Sequence, residues 1–153
     1  LPFRPVMGEI ITVASDFNPS RIVNRGVFMV PFGESHLRVG STYHWKQLST
    51  EPRPEGITEI REKMEQLASF DYQLVQAAAG IRPATKDRRP MLGRHPSQEH
   101  MLLFNGLGAK GVSLAPYMAH RFCDWVSGKQ ALPDEVNVKR FFSLYSNDNP
   151  DFR

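Results

Sequence analysis

The chain has 153 residues, 41% of them hydrophobic and 23% charged, with a net charge of +3, which is enough to bury roughly two thirds of its unfolded surface in a compact unit. Its 12 prolines and 11 glycines are dispersed among periodic segments, which argues against a disordered or low-complexity tract. No apolar run nears the roughly 18 residues of a membrane span and no secretory pattern opens the sequence, so no membrane partner is expected and a cytoplasmic address is the default.

The first predicted element is a strand over Gly8–Ala14, where GEIITVA is rich in β-branched residues and bounded by Pro5 and Asp16. Strands follow over Val27–Pro31 and His36–Thr42, and the turn residues FGES between them predict an antiparallel hairpin. From Glu55 to Ser69 the period becomes helical. Ile57, Ile60, Met64 and Leu67 share one face, while Glu59, Arg61, Glu62, Lys63 and Glu65 fall elsewhere. Gln73–Ala79 reads as a strand or buried segment stopped by Gly80 and Pro83.

Pro83–Pro96 reads as a polar loop. Its cations Lys86, Arg88, Arg89 and Arg94 are interrupted by Asp87 and lack the interleaved aromatics of single-strand binders, so a solvated loop is the expectation. A short strand over Met101–Asn105 leads to a second helix over Val112–Gly128, with Leu114, Met118, Phe122 and Trp125 or Val126 as its buried stripe and Gly128 to end it. Cys123, the single cysteine, reads as a buried, inert thiol of that helix. His36, His95, His100 and His120 show no spacing that suggests a metal site. Asn147–Arg153 is expected to fray. The fold class is α+β, an antiparallel or mixed sheet with two main helices.

Between the last strand and last helix, Gly106, Gly108 and Gly111 spell G-x-G-x-x-G. A dinucleotide fold would need a further parallel strand and an acidic residue roughly 20 positions on. Glu135 is at about that distance, but Pro133 beside it argues against a central strand, and too little chain remains for more βα units. Two readings remain: close backbone packing at a strand-to-helix turn, or a turn where a ligand approaches the backbone and the helix N-terminus offers N–H donors.

Several ordered motifs carry a resemblance. Gly80, Ile81, Arg82 and Pro83 spell G-[LI]-R-P, followed by Asp87, Pro90 and Gly93; Gly106, Gly111, Val112, Ala115 and Pro116 fit G-x-x-x-x-G-[IV]-x-x-[AS]-P. Upstream, PVMGEI at Pro5–Ile10, FMVP at Phe28–Pro31 and RVGST at Arg38–Thr42 fall in the same order. From Pro5 to about Gly128 the chain resembles the C-terminal portion of the D-amino-acid oxidase-like family of FAD-dependent oxidoreductases, in its glycine and sarcosine oxidase branch. The resemblance implies a substrate-binding portion over 1–80, the closing segment of the FAD-binding domain over 81–130 and a tail over 131–153. It also implies an N-terminal FAD-binding domain as a missing partner, with self-association of the fragment as a consequence of uncovered apolar faces.

The resemblance implies FAD as cofactor and a small amine or amino acid as substrate. It makes Arg82 a clamp for the substrate carboxylate, although an arginine before a proline is by itself more often a surface ion pair. Phe28 stands where that branch has a carboxylate-binding tyrosine and so lacks its hydroxyl; Tyr43 and His44 are candidates to reach the pocket instead, with a structural role for His44 equally open. The turn Gly106, Leu107, Gly108, Ala109, Lys110 and Gly111, continuing into Val112 and Ser113, becomes the cofactor-facing segment, in which Lys110 either meets the flavin or is an exposed turn lysine. No side chain is implied as an acid–base catalyst. Two alternatives stand beside this reading. The GLGAKG turn also resembles the FAD domain of tRNA wobble-uridine modification enzymes, which would bring a nucleic-acid partner, and the isolated chain could be an FAD-free, non-catalytic module.

Overall fold

The computed structural model describes residues 1–145, so the expected fraying of Asn147–Arg153 lies outside the described residues. The chain divides into two compact units, residues 6–81 and residues 1–5 with 82 onward.

The first unit is a sheet carrying a helix. Its strands are β1 (Val6–Ala14), β2 (Val23–Arg25), β3 (Val27–Pro31), β4 (His36–Gly40) and β5 (Gln73–Arg82), ordered β2-β3-β4-β1-β5. The expected hairpin is present: β3 and β4 pair antiparallel with Met29 opposite Val39, and β4 pairs antiparallel with β1, Ile11 opposite Val39 and Val13 opposite Leu37. Alternation therefore puts Ile11, Val13, Val27, Met29, Leu37 and Val39 on one face, and all six are buried. Helix α1 (Pro54–Leu67) lies on that face through buried Ile60 and Met64, with Ile57 and Leu67 at the edge. Each fully buried side chain of this kind contributes about 1.5–3 kcal/mol. Pro54 begins α1 where its missing N–H costs nothing.

The second unit is built on β6 (Met91–Arg94) and β7 (Leu102–Asn105), paired antiparallel, followed by a 3-10 turn over Gly108–Lys110 and helix α2 (Gly111–Val126). Leu92, Leu132 and Val136 form its core, covered by Phe104, Met118, Phe122 and Trp125. Trp125 packs inward while Val126 is 51% exposed, which resolves the ambiguity in the stripe. Gly128, at φ +74°, stops the helix, its N–H donating to the Trp125 carbonyl at 3.0 Å.

Several expectations are corrected. Pro83–Pro96 is not all loop, because Met91, Leu92 and Gly93 are buried in β6. In the segment from 131, the Val136 carbonyl accepts the Leu92 N–H at 2.8 Å, and Leu132, Val136 and Val138 are buried. β4 ends at Gly40 instead of Thr42, and beyond it the Thr42 side chain, in place of a backbone carbonyl, takes the Glu9 N–H at 2.8 Å. β5 runs on to Arg82, because Gly80 sits in open space and interrupts nothing. Cys123 is exposed, one residue and about 100° around the helix from inward-facing Phe122.

Candidate functional site

The glycine turn is held from inside. Asn105 Oδ1 accepts the Gly106 N–H at 2.8 Å, and Gly106, at φ +76°, is packed so tightly that a Cβ would lie 2.7 Å from Thr85 Cγ2 and 3.1 Å from the Met91 nitrogen. Gly108, at φ +55°, is also left-handed, but a Cβ there meets only Ala84, at 3.6 Å or more. Both positions favour glycine through backbone conformation, and Gly106 also through space. β7, which leads into the turn, pairs antiparallel with β6, unlike the parallel strand that a dinucleotide fingerprint follows.

The outer side of the turn is open. Ala109 and Lys110 are exposed, Leu107 is half-buried, and Val112 in the first turn of α2 is 97% exposed. No side chain caps the α2 N-terminus, and Ser113 Oγ is turned back to donate to the Lys110 carbonyl at 3.0 Å. The 3-10 turn Gly108–Lys110 runs directly into α2, so the positive end of the helix dipole lies at this turn.

The loop under the turn is cross-braced. Thr85 Oγ1 donates to the Arg89 carbonyl at 2.8 Å, and Asp87 Oδ1 accepts the Arg89 N–H at 3.1 Å. Arg140 Nε donates to Asp87 Oδ2 at 2.9 Å and its Nη2 to the Pro90 carbonyl at 2.9 Å. Burial would raise the Asp87 carboxyl, but the Arg140 and Arg89 hydrogen bonds outweigh it and hold the group below its ordinary value. Asp87 therefore acts as a brace within the basic loop. Arg82, the last residue of β5, is half-buried and already engaged, and its carbonyl accepts the N–H of Ala84, the residue facing Gly108.

Phe28, Tyr43 and His44 belong to the other unit. Phe28 is half-buried on the face of the sheet away from α1, opposite Gly40, which also pairs with Ile10. Beyond β4, Met7 and His44 exchange backbone hydrogen bonds of 2.8 and 3.0 Å. Tyr43 is exposed with its ring 5.9 Å from that of Trp45, whereas the His44 imidazole sits 3.7 Å from Glu9 Oε2 and 3.5 Å from Glu59 Oε2. Tyr43 and His44 are thus neighbours in sequence with different surroundings.

A buried polar cluster, which sequence reasoning missed, lies behind them. Glu9 is fully buried on the same side of β1 as Ile11 and Val13. Arg53 Nε donates to its Oε1 at 2.8 Å, and Thr42 Oγ1 donates to Oε2. Burial pushes the Glu9 carboxyl up, but the Arg53 and Thr42 hydrogen bonds, with the Arg53 charge, more than offset this and hold it below its ordinary value. The available signal was one carboxylate in an otherwise β-branched strand.

Known proteins resolve what this frame belongs to. The family described as FAD dependent oxidoreductase (DAO) matches residues 1–125. The chain belongs to this family. The glycine oxidase of Pseudomonas aeruginosa is 30% identical over 138 residues, covering 88% of this chain and 38% of that protein. The crystal structure of iminodiacetate oxidase from Chelativorans sp. BNC1 superposes with a TM-score of 0.76 at 27% identity, covering 89% of this chain and 40% of that one. A tRNA 5-methylaminomethyl-2-thiouridine biosynthesis bifunctional protein of Marinobacter nauticus is 26% identical over 141 residues, 80% of this chain and 22% of that protein. The DAO chain thus spans about two fifths of the glycine oxidase and of the iminodiacetate oxidase it matches. The expected family, fold class and flavin dependence of the family agree with these findings. The described residues contain no helix long and apolar enough to cross a membrane and no cluster of three or more metal-ligating side chains.

The turn fits the family's cofactor on its own geometry. Glycines at 108 and 111 keep its surface low, the positive end of the α2 dipole lies beside it without a side-chain cap, and Val112 offers apolar contact.

Proposed function

We propose that the protein containing this chain oxidises a primary or secondary amine adjacent to a carboxylate, with FAD held in part by the turn Gly106–Gly111 and the start of α2 at Val112 and Ser113. The observation that carries this reading is the family match across residues 1–125. Bound FAD supplies the hydride acceptor, and the substrate leaves as an imine that water hydrolyses. Arg82 binds the substrate carboxylate through its planar fork and so fixes the position of the α-carbon. Phe28 contributes apolar surface where a hydroxyl would favour a very small, polar amino acid, and Tyr43 supplies the replacement polar contact. His44 acts through Glu9 and Glu59, which its imidazole faces. Lys110, exposed at the turn, supplies positive charge near the reacting centre.

The test is an FAD titration of the 153-residue chain, followed by flavin fluorescence, with amine oxidation measured on the full-length enzyme. Gly108→Val weakens FAD binding by about tenfold, because a β-branched residue in a left-handed conformation costs about 1–2 kcal/mol. Arg82→Ala leaves FAD affinity unchanged and raises the KM for glycine or iminodiacetate by about 100-fold, as expected from a lost charge-assisted pair. An unchanged KM in Arg82→Ala would remove the carboxylate clamp from the proposal. No saturable FAD binding by a self-associating chain would favour an FAD-free module.

The similarity to the Marinobacter nauticus protein, together with exposed Lys86, Arg88, Arg89 and Lys110, supports a second reading in which the amine is carried on tRNA. Under that reading the full-length protein binds tRNA with an affinity that falls steeply with salt. Salt-independent or absent tRNA binding rejects it.

A further inference from the structure

We propose that Glu9 is a positioning residue: its buried carboxylate sets the Thr42–His44 segment and thereby the presentation of Tyr43. The inference rests on the reading in which Tyr43 meets substrate.

Glu9 contacts this segment through three of its own groups. Its N–H donates to Thr42 Oγ1 at 2.8 Å, its carbonyl accepts the Thr42 N–H at 3.2 Å, and its carboxylate accepts the Thr42 hydroxyl. The same carboxylate faces the His44 ring at 3.7 Å, while the backbone of His44 is paired with Met7, two residues before Glu9. Tyr43 lies between these two anchored residues, so its backbone direction follows from theirs.

The carboxylate is itself fixed. Arg53 Nε holds Oε1 at 2.8 Å from the start of α1, and Gly56 gives it room, since a Cβ there would lie 2.4–2.6 Å from the carboxylate atoms. Glu59, which also faces His44, is engaged by Lys63 Nζ at 2.6 Å. A residue needed only for packing at this place in β1 would be apolar, as Ile11 and Val13 are on the same face. A buried carboxylate with three polar neighbours specifies directions as well as filling volume.

Residue-resolved amide exchange on the 153-residue chain tests this. In Glu9→Gln, exchange at the Thr42 and His44 amides rises by about tenfold, the effect of losing one hydrogen bond of ordinary strength, while Leu37 and Val13 amides keep their wild-type rates. Thr42→Val, which attacks the same contact from the other end should Glu9→Gln fail to fold, gives the same local signature, and Thr42→Ser restores protection. Uniform acceleration across Leu37, Val13, Thr42 and His44, or no change at Thr42 and His44, overturns the proposal. In the full-length enzyme with glycine as the probe, Glu9→Gln raises KM severalfold with kcat within about twofold. Tyr43→Ala separates the two possible failures. An unchanged KM there refutes the substrate-facing reading of Tyr43; a raised KM there with an unchanged one in Glu9→Gln refutes positioning by Glu9.

Discussion

Gly56→Ala tests the packing of the polar cluster against a rule that predicts the opposite result. Alanine in place of glycine within a helix ordinarily stabilises by about 1 kcal/mol. At Gly56 the new methyl would sit 2.4 Å from Glu9 Cδ and 2.5 and 2.6 Å from its two oxygens, where ordinary contact begins at 3.4 Å. The carboxylate must therefore retreat by about 1 Å, which breaks a 2.8 Å bond to Arg53 Nε and the bond from Thr42. Hydrogen bonds to a charged group contribute about 1.5–3 kcal/mol each. Losing one or two and regaining about 1 kcal/mol of helix propensity leaves Gly56→Ala less stable by about 0.5–5 kcal/mol. Urea unfolding followed by far-UV circular dichroism reads this as a lower midpoint at unchanged slope. In a Glu9→Ala background the obstacle is gone, so the second substitution becomes neutral or stabilising. A more stable Gly56→Ala in the wild-type background, or the same cost in both backgrounds, would refute the argument that the carboxylate is what excludes a side chain at Gly56.

Acid has a defined effect. Glu9 and Asp87 both titrate below their ordinary values in the folded chain, so their stabilisation is complete above the ordinary carboxyl range and is lost as pH falls through the lowered folded values. Thermal unfolding across that window should show Tm falling with acid, and a shallower fall in Glu9→Gln; an identical fall would dismiss Glu9 as a contributor. Arg140→Ala removes the brace to Asp87 and to the Arg89 and Pro90 carbonyls and costs about 1–3 kcal/mol by denaturant unfolding. Arg140→Lys recovers only part of this, since a single ammonium cannot span the same acceptors. Gly128→Ala costs about 1 kcal/mol through left-handed strain alone, because a Cβ there meets nothing within 4 Å; a neutral result would mean the helix end relaxes.

The parts of the fold that were legible are those whose order is local. Val27–Pro31 was readable to the residue because β-branched and apolar side chains end at a turn, and α1 because Ile57, Ile60, Met64 and Leu67 keep one period over the whole helix. β6 was hidden because a four-residue run next to Pro90 shows no period, and what makes Met91–Arg94 a strand is β7, Leu102–Asn105, across a polar gap that begins with His95 and Pro96. Val136 was hidden for the same reason: its carbonyl is taken by Leu92, far earlier in the chain. The glycine turn could be found by pattern, yet the same pattern fits a phosphate cradle. Antiparallel pairing of the preceding strand and the interior packing of Gly106 against Thr85, neither visible in the sequence, distinguish the two.

Glu9 shows most clearly why part of a site escapes sequence reading. Along β1 it occupies an inward position by strict alternation with Ile11 and Val13, where a carboxylate alone would be strongly disfavoured. What makes the position tolerable is supplied from Thr42, 33 residues on, and Arg53, 44 residues on. Gly56 completes the arrangement by having no side chain, so its contribution is invisible to any pattern of residue types. None of these residues is informative by itself: a threonine after a strand, an arginine before a proline and a glycine in a helix each have ordinary explanations. Their meaning comes from convergence on one buried carboxylate, and convergence is a property of the folded chain. The same reasoning separates Tyr43 from His44, adjacent residues of which one shares an exposed aromatic pair with Trp45 and the other faces two carboxylates. The proposed substrate contact rests on Tyr43, while the His44 ring is turned to the two carboxylates.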